Sequence, residues 1–119
     1  MTQLISIAVR AAERSLLPMR MGAVVSHRNR PISFGFNKGK THPRSKTVYR
    51  TIHAELDAVL GAPRSELQRA SITVVRVSKA GVFGMSRPCG GCIEMLKELQ
   101  FATMYYHDRS GAFCTESIV

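Results

Sequence analysis

Near the start of the chain, Leu4, Ile5, Ala8, Val9, Ala12 and Leu16 recur at helical spacing, while Arg10, Glu13 and Arg14 fall elsewhere on the wheel. The pattern predicts an amphipathic helix closed by Pro18. Two β-prone runs follow at 21–27 and 32–36, joined by Arg28-Asn29-Arg30-Pro31 as a hairpin with a four-residue loop. Residues 37–47 contain Gly39 and Pro43 and read as an irregular loop. Ile52, Leu56, Val59 and Leu60 mark a second helix over about 51–60, stopped by Gly61 and Pro63. A buried-type strand at 71–77 leads through the loop 79–86 to a third helix, with Pro88 at its start and Ile93, Leu96 and Leu99 on its apolar side. A strand at 103–107, a turn at 108–111 and a last strand at 112–116 complete the order. The fold class is α/β: a mixed sheet of about five strands with helices on both faces, the later strands running parallel through helical crossovers.

No repeat, low-complexity tract or flexible linker interrupts this order, so one domain is expected over 1–119. With 45% apolar and 21% charged residues the composition is globular. Charge changes the picture through its location. The formal net charge is +9, and between Arg14 and Ala54 there are nine basic residues and no acid, while the rest of the chain carries eight of each sign. A field of one sign on one segment suits an anionic partner such as nucleotide phosphate or nucleic acid. No apolar run reaches membrane-span length, and no signal peptide is evident, so a cytoplasmic protein with no membrane partner is expected. In that compartment three cysteines read as ligands, thiols or core residues rather than as a disulfide framework.

Two short motifs carry chemistry: His53-Ala54-Glu55 and Pro88-Cys89-Gly90-Gly91-Cys92, each at the start of a helix after a loop. Cys89 and Cys92, three residues apart, lie on one helix face, and two thiolates at that spacing suit tetrahedral Zn²⁺. His53 supplies a third ligand if the two helix starts meet, leaving a fourth position for water. Glu55 points to a different side of the helix start, placed to take a proton from that water and return it to a leaving group. A closed structural site is the alternative, its fourth ligand drawn from Cys114, His107 or His27.

H-x-E followed by P-C-x-x-C resembles the signature of the zinc-dependent cytidine and deoxycytidylate deaminase superfamily, and the resemblance covers nearly the whole chain. It implies a three-layer cytidine-deaminase-like fold and replacement of the amino group at C4 of cytosine by water, with Zn²⁺ as cofactor and Glu55 shuttling protons. It further implies that Asn37, in Gly35-Phe36-Asn37, contacts the sugar, that the backbone at Ala54 contacts the pyrimidine, and that the backbone at Ser86 accepts from the amino group. A homo-oligomer is expected from the resemblance alone.

Some features depart from the family pattern. The nucleoside branch usually has Cys where this chain has His53, which leans toward the deoxycytidylate, guanine and polynucleotide branches. The short 108–111 connection instead demands an antiparallel last strand, as in enzymes of free nucleosides. Arg87 takes the place of a family residue that helps recognise the base or its phosphate. The basic positions Lys38, Lys40, His42, Arg44 and Lys46 directly follow Asn37 and should border the pocket, with Lys38, Lys40 and Arg44 as candidate phosphate ligands. The expected substrate is therefore a small cytosine nucleoside or nucleotide, deoxycytidylate preferred. Deamination of cytosine or adenine in single-stranded DNA or RNA is the alternative, and a non-catalytic nucleic-acid-binding module with structural zinc a third reading.

Overall fold

Helix α1 (Thr2–Glu13) buries Leu4, Ala8, Ala11 and Ala12 along its inner stripe. It ends before the predicted Leu16, which is 99% exposed. Pro18 disfavours helical backbone before it, and the Ser15 hydroxyl leaves the helix to donate to the Asn37 carbonyl at 2.8 Å. This computed structural model describes residues 2–39 and 51–118, so most of the predicted basic loop lies outside the described residues.

Strands β1 (Arg20–His27) and β2 (Arg30–Phe36) pair as far as His27 opposite Arg30. The turn is therefore Arg28-Asn29 alone rather than four residues. Both adopt left-handed backbone (φ 53° and 65°), the conformation of a tight primed turn. Pro31 is accommodated because β2 is an edge strand with a register shift beside it. Lys38–Gly39 (β3) and Thr51–Ile52 (β4) form a two-stranded ladder. The second helix, α2 (Ala54–Leu60), consequently starts later than its apolar pattern predicts.

A short 3₁₀ turn (Arg64–Glu66) precedes β5 (Ser71–Val77), α3 (Gly90–Glu98), β6 (Thr103–His107) and β7 (Phe113–Ser117). Pro88 lies outside α3, whose N-cap is Cys89. The five-stranded sheet has the order β2-β1-β5-β6-β7. Only β5 and β6, linked through α3, are parallel; β6 and β7 are antiparallel, as the short connection requires.

Alternation along the strands sorts side chains into two cores. Ala23, Val25, Ile72 and Val74 face α2 and α3 together with Leu96, Phe101 and Met104, while Val24, Val75 and Val77 face Leu4, Ala8 and Ala12 of α1. The result is three layers. Two glycines set their spacing. A Cβ at Gly22 would strike the Ala8 carbonyl of α1, and one at Gly35 would strike the Ala58 amide of α2 and lie 2.8 Å from the Ala54 carbonyl. The sheet thus touches backbone on both sides. Ser33 Oγ donates to the Ala58 carbonyl at 2.6 Å, and the Phe36 amide donates to Asp57 Oδ2 at 3.1 Å, fastening α2 to the edge strand.

Candidate active site and metal centre

The N-caps of α2 and α3 are His53 (φ −70°, ψ 151°) and Cys89 (φ −70°, ψ 167°). Neither side chain caps its own helix, so both are free to turn toward each other. His53 Nδ1 lies 3.6 Å from Cys89 Sγ and 3.4 Å from Cys92 Sγ. Tetrahedral zinc with ordinary Zn–N and Zn–S bonds separates such donors by about 3.6 Å, so the donor set fits the ion in both type and spacing. Among the described residues, groups able to hold a metal comprise this cluster alone, with all three donor atoms within 4.8 Å of one another. The predicted fourth ligands lie elsewhere. Cys114 Sγ faces Asp108 Oδ2 at 3.6 Å, the His107 ring stacks on Phe83 at 4.3 Å, and His27 sits at the hairpin. Among the described residues three donors could therefore hold zinc, leaving a fourth position to water or substrate.

Glu55 is 2% exposed, and its Oε1 has no hydrogen-bond partner among the described residues. A buried, unsatisfied carboxylate oxygen is costly unless a ligand or water completes it. Burial, reinforced by the neighbouring Glu55 carboxylate, pushes the Cys92 thiol well up from its ordinary range. A divalent cation reverses that preference and holds the sulfur as thiolate.

Beside the cluster is a cavity of about 480 Å³, lined by His53, Glu55 and Cys89 together with Asn37, Arg76 and Arg87; Leu17, Pro18, Met19, Met21 and Met85 supply its apolar surface. A groove of about 450 Å³ between α1 and β2 contains Arg10, Arg14 and Phe34 but no histidine, cysteine or acid, so the reactive groups single out the first cavity.

The other predicted site residues take different positions. Asn37 Oδ1 accepts from the Met21 amide at 2.8 Å and Nδ2 donates to the Met19 carbonyl at 2.6 Å, so Asn37 braces the cavity wall while lining it. Ala54 is the buried first residue of α2, where backbone N–H groups have no partner within the helix. Ser86 is buried and clamped: its Oγ donates to the Val74 carbonyl at 2.8 Å and accepts from the His107 amide at 2.9 Å, and its own amide donates to the His107 carbonyl at 2.9 Å. This extra rung fixes the approach of Arg87 and Cys89. Arg87 reaches the cavity wall with Nη2 2.8 Å and Nε 3.3 Å from the two oxygens of Glu116, which also accepts from Tyr106 at 2.9 Å. Arg87, then Tyr106, hold the Glu116 carboxyl below its usual range. Lys38 is drawn aside, 3.1 Å from Asp57 Oδ2 and over the Phe36 ring at 4.3 Å. Lys40 and Arg44 lie outside the described residues.

Arg76 was not anticipated, although its signal was present: in Ser-Ile-Thr-Val-Val-Arg-Val it shares parity with the buried Ile72 and Val74, placing a cation on the core-facing side of β5. The helices among the described residues include none long and apolar enough to cross a membrane.

The fold is shared with cytidine deaminase from Burkholderia pseudomallei (TM-score 0.73, 22% identity, 98% of this chain and 91% of that one). It is shared also with the apo dCMP deaminase of cyanophage S-TIM5 (TM-score 0.65, 19% identity, 92% and 82%). Cytidine deaminase from Mycobacterium leprae is similar too (TM-score 0.65, 19% identity, 98% and 92%). No curated protein sequence matches the chain. The family described as "Cytidine and deoxycytidylate deaminase zinc-binding region" matches residues 1–108, a span that includes both helix starts and the clamped Ser86 between them. By that match, this chain belongs to the cytidine and deoxycytidylate deaminase family and carries its zinc-binding region.

Proposed function

We propose that the chain hydrolytically deaminates the cytosine of a small nucleoside or nucleotide to the uracil form, releasing ammonia, with deoxycytidylate preferred. The observation that carries this reading is the buried Glu55, whose Oε1 has no hydrogen-bond partner among the described residues and which lines one cavity with His53 and Cys89 of the three-donor cluster. His53, Cys89 and Cys92 would hold zinc, which when bound supplies an acidified water and a Lewis acid.

Glu55 accepts a proton from the water that adds at C4 and delivers protons to the pyrimidine and its amino nitrogen. The new C–O bond is retained, the C–N bond breaks, and ammonia carries the nitrogen away. Burial keeps the carboxyl next to the reacting atoms and away from bulk water. The amide of Ala54 offers the ring a donor, Ser86 holds the opposite wall at fixed height, and Asn37 borders the sugar. Support for the substrate class comes from the similar folds of a cytidine deaminase and of a dCMP deaminase solved in complex with dCMP and dUMP. A single cytoplasmic domain assembling as a homo-oligomer completes the reading.

The test is ammonia release from zinc-loaded protein given cytidine, deoxycytidine, their monophosphates, guanine and single-stranded oligonucleotides at two salt concentrations. Turnover of free cytosine nucleosides or nucleotides is expected. Conversion confined to oligonucleotides, falling steeply with salt, would replace this reading by the polynucleotide one.

A further inference from the structure

Among the described residues the cavity wall has two arginines and one acid, Glu55. The arginines differ in what they already hold. Arg87 has closed one edge of its guanidinium on Glu116 through Nε and Nη2. Among the described residues Arg76 has no acidic partner; the ion pairs there involve Arg30, Lys38 and Arg87. Lys38, the candidate nearest in sequence to Asn37, is committed to Asp57 and does not line the cavity.

Arg76 is also seated rather than loose. It lies opposite Met21 in the β1–β5 register, and both residues line the cavity. Its side chain runs past Gly84, where a Cβ would stand 3.2 Å from Arg76 Cδ and 3.3 Å from Nε. The half-buried Arg76 side chain therefore runs, from Cδ to Nε, through a slot that a glycine keeps open. A partly desolvated cation without a counter-ion costs free energy that an anionic ligand recovers, and a guanidinium matches the oxygens of phosphate in planar, two-pronged fashion.

We infer that Arg76 is the anion-binding and specificity-determining residue of this cavity, and that the cavity is matched to a nucleoside 5′-monophosphate. Arg87, held in place by Glu116, offers its remaining edge as a second, fixed donor. The inference rests on the cytosine-deaminase reading and narrows it. A single nucleotide is favoured over a polynucleotide because, among the described residues, the apolar lining is methionine, leucine and proline, with no aromatic platform on which successive bases would stack.

The experiment compares dCMP with deoxycytidine, both as substrates of the zinc-loaded wild type and as ligands of zinc-loaded Glu55→Gln protein, where binding is read by calorimetry without turnover. Wild type should favour dCMP in kcat/KM by on the order of 10–100-fold, the range set by one or two charge-assisted hydrogen bonds. Arg76→Gln should bring the nucleotide-to-nucleoside ratio close to one, in turnover and in binding, and Arg76→Lys should restore part of it. Zinc content and thermal midpoint report whether each variant is folded, and the lysine variant keeps the test open should the glutamine variant fail to fold. No nucleotide preference in wild type, an equal loss for both compounds in Arg76→Gln, or conversion of oligonucleotides alone overturns the inference. Arg76-dependent dCMP binding without turnover of any cytosine compound by wild type would leave the anion site standing and defeat the deaminase reading instead.

Discussion

The metal side of the cavity and its arginine side are built by opposite strategies. The first is local: two helix starts with nearly identical N-cap backbone each present a ligand, and Cys92 follows one turn into α3. The second is assembled at a distance: Arg76 comes from β5, Arg87 from the approach to α3, and its holder Glu116 from β7. Local construction makes the metal side all-or-none, since every donor is needed at once. Distributed construction makes the arginine side gradable, because each contact is partly exposed and individually weak.

That contrast can be broken most sharply at Glu55. Glu55→Gln should lower kcat by at least about 10²–10⁴-fold, the usual contribution of a positioned general acid–base. One equivalent of zinc should remain bound, measured by metal analysis of the purified protein; loss of zinc with the activity would make Glu55 a ligand rather than a proton carrier.

Next in size is removal of the metal itself. Cys92→Ala should abolish stoichiometric zinc, and chelation of the wild type should lower its thermal midpoint. At free zinc a thousandfold above Kd, binding stabilises the folded state by about 4 kcal/mol. Cys114→Ala should keep its zinc in the same assay, whereas a loss there would indicate a closed four-ligand site.

On the arginine side the effects should be graded. Glu116→Gln loosens Arg87 without removing it, and pairs as exposed as this one are worth about 0–1 kcal/mol. The KM for dCMP should therefore rise no more than about fivefold with kcat held, as initial-rate kinetics would show. A collapse of kcat would mean that Arg87 serves the reacting atoms and that the two sides are not separable.

The smallest effect is one of pH. Burial lowers the affinity of His107 for a proton, with nearby Asp108 opposing. The folded pKa thus lies below the unfolded value, so the stabilising contribution is complete above roughly 6.5 and is lost as pH falls through the folded value. The thermal midpoint should decline on acidification below that point, and His107→Phe should flatten this part of the profile. An unchanged slope would show that other groups carry it.

The same division explains what could be read before the fold was seen. The candidate ligands and the proposed general base sit in contiguous motifs at helix starts, and the succession of elements and the antiparallel last strand follow from periodicity and connection length. Leu16 misled because periodicity does not register the turn that Ser15 and Pro18 impose. The hairpin loop is shorter than its sequence suggests because Pro31, a loop residue by type, fits a strand at the sheet edge, and edge position is set by tertiary structure. The β3–β4 ladder joins residues far apart in sequence, and neither two-residue strand has a pattern of its own. Among the cations, charge density in residues 14–54 points to Lys38, which Asp57 engages, and away from Arg76, whose lack of an acidic partner among the described residues is a property of tertiary structure alone.

Gly35 belongs to neither side of the cavity, yet it bears on both as a matter of genetics. It sits in an edge strand, lines neither cavity wall and lies against the backbone of α2, the element that carries Glu55 and has His53 as its N-cap. Any side chain there would lift that helix as a unit and move the candidate ligand His53 and the proposed base Glu55 together. In a random-mutagenesis selection for activity, position 35 should therefore tolerate no replacement and score beside the metal ligands, marking as essential a residue with no chemistry of its own.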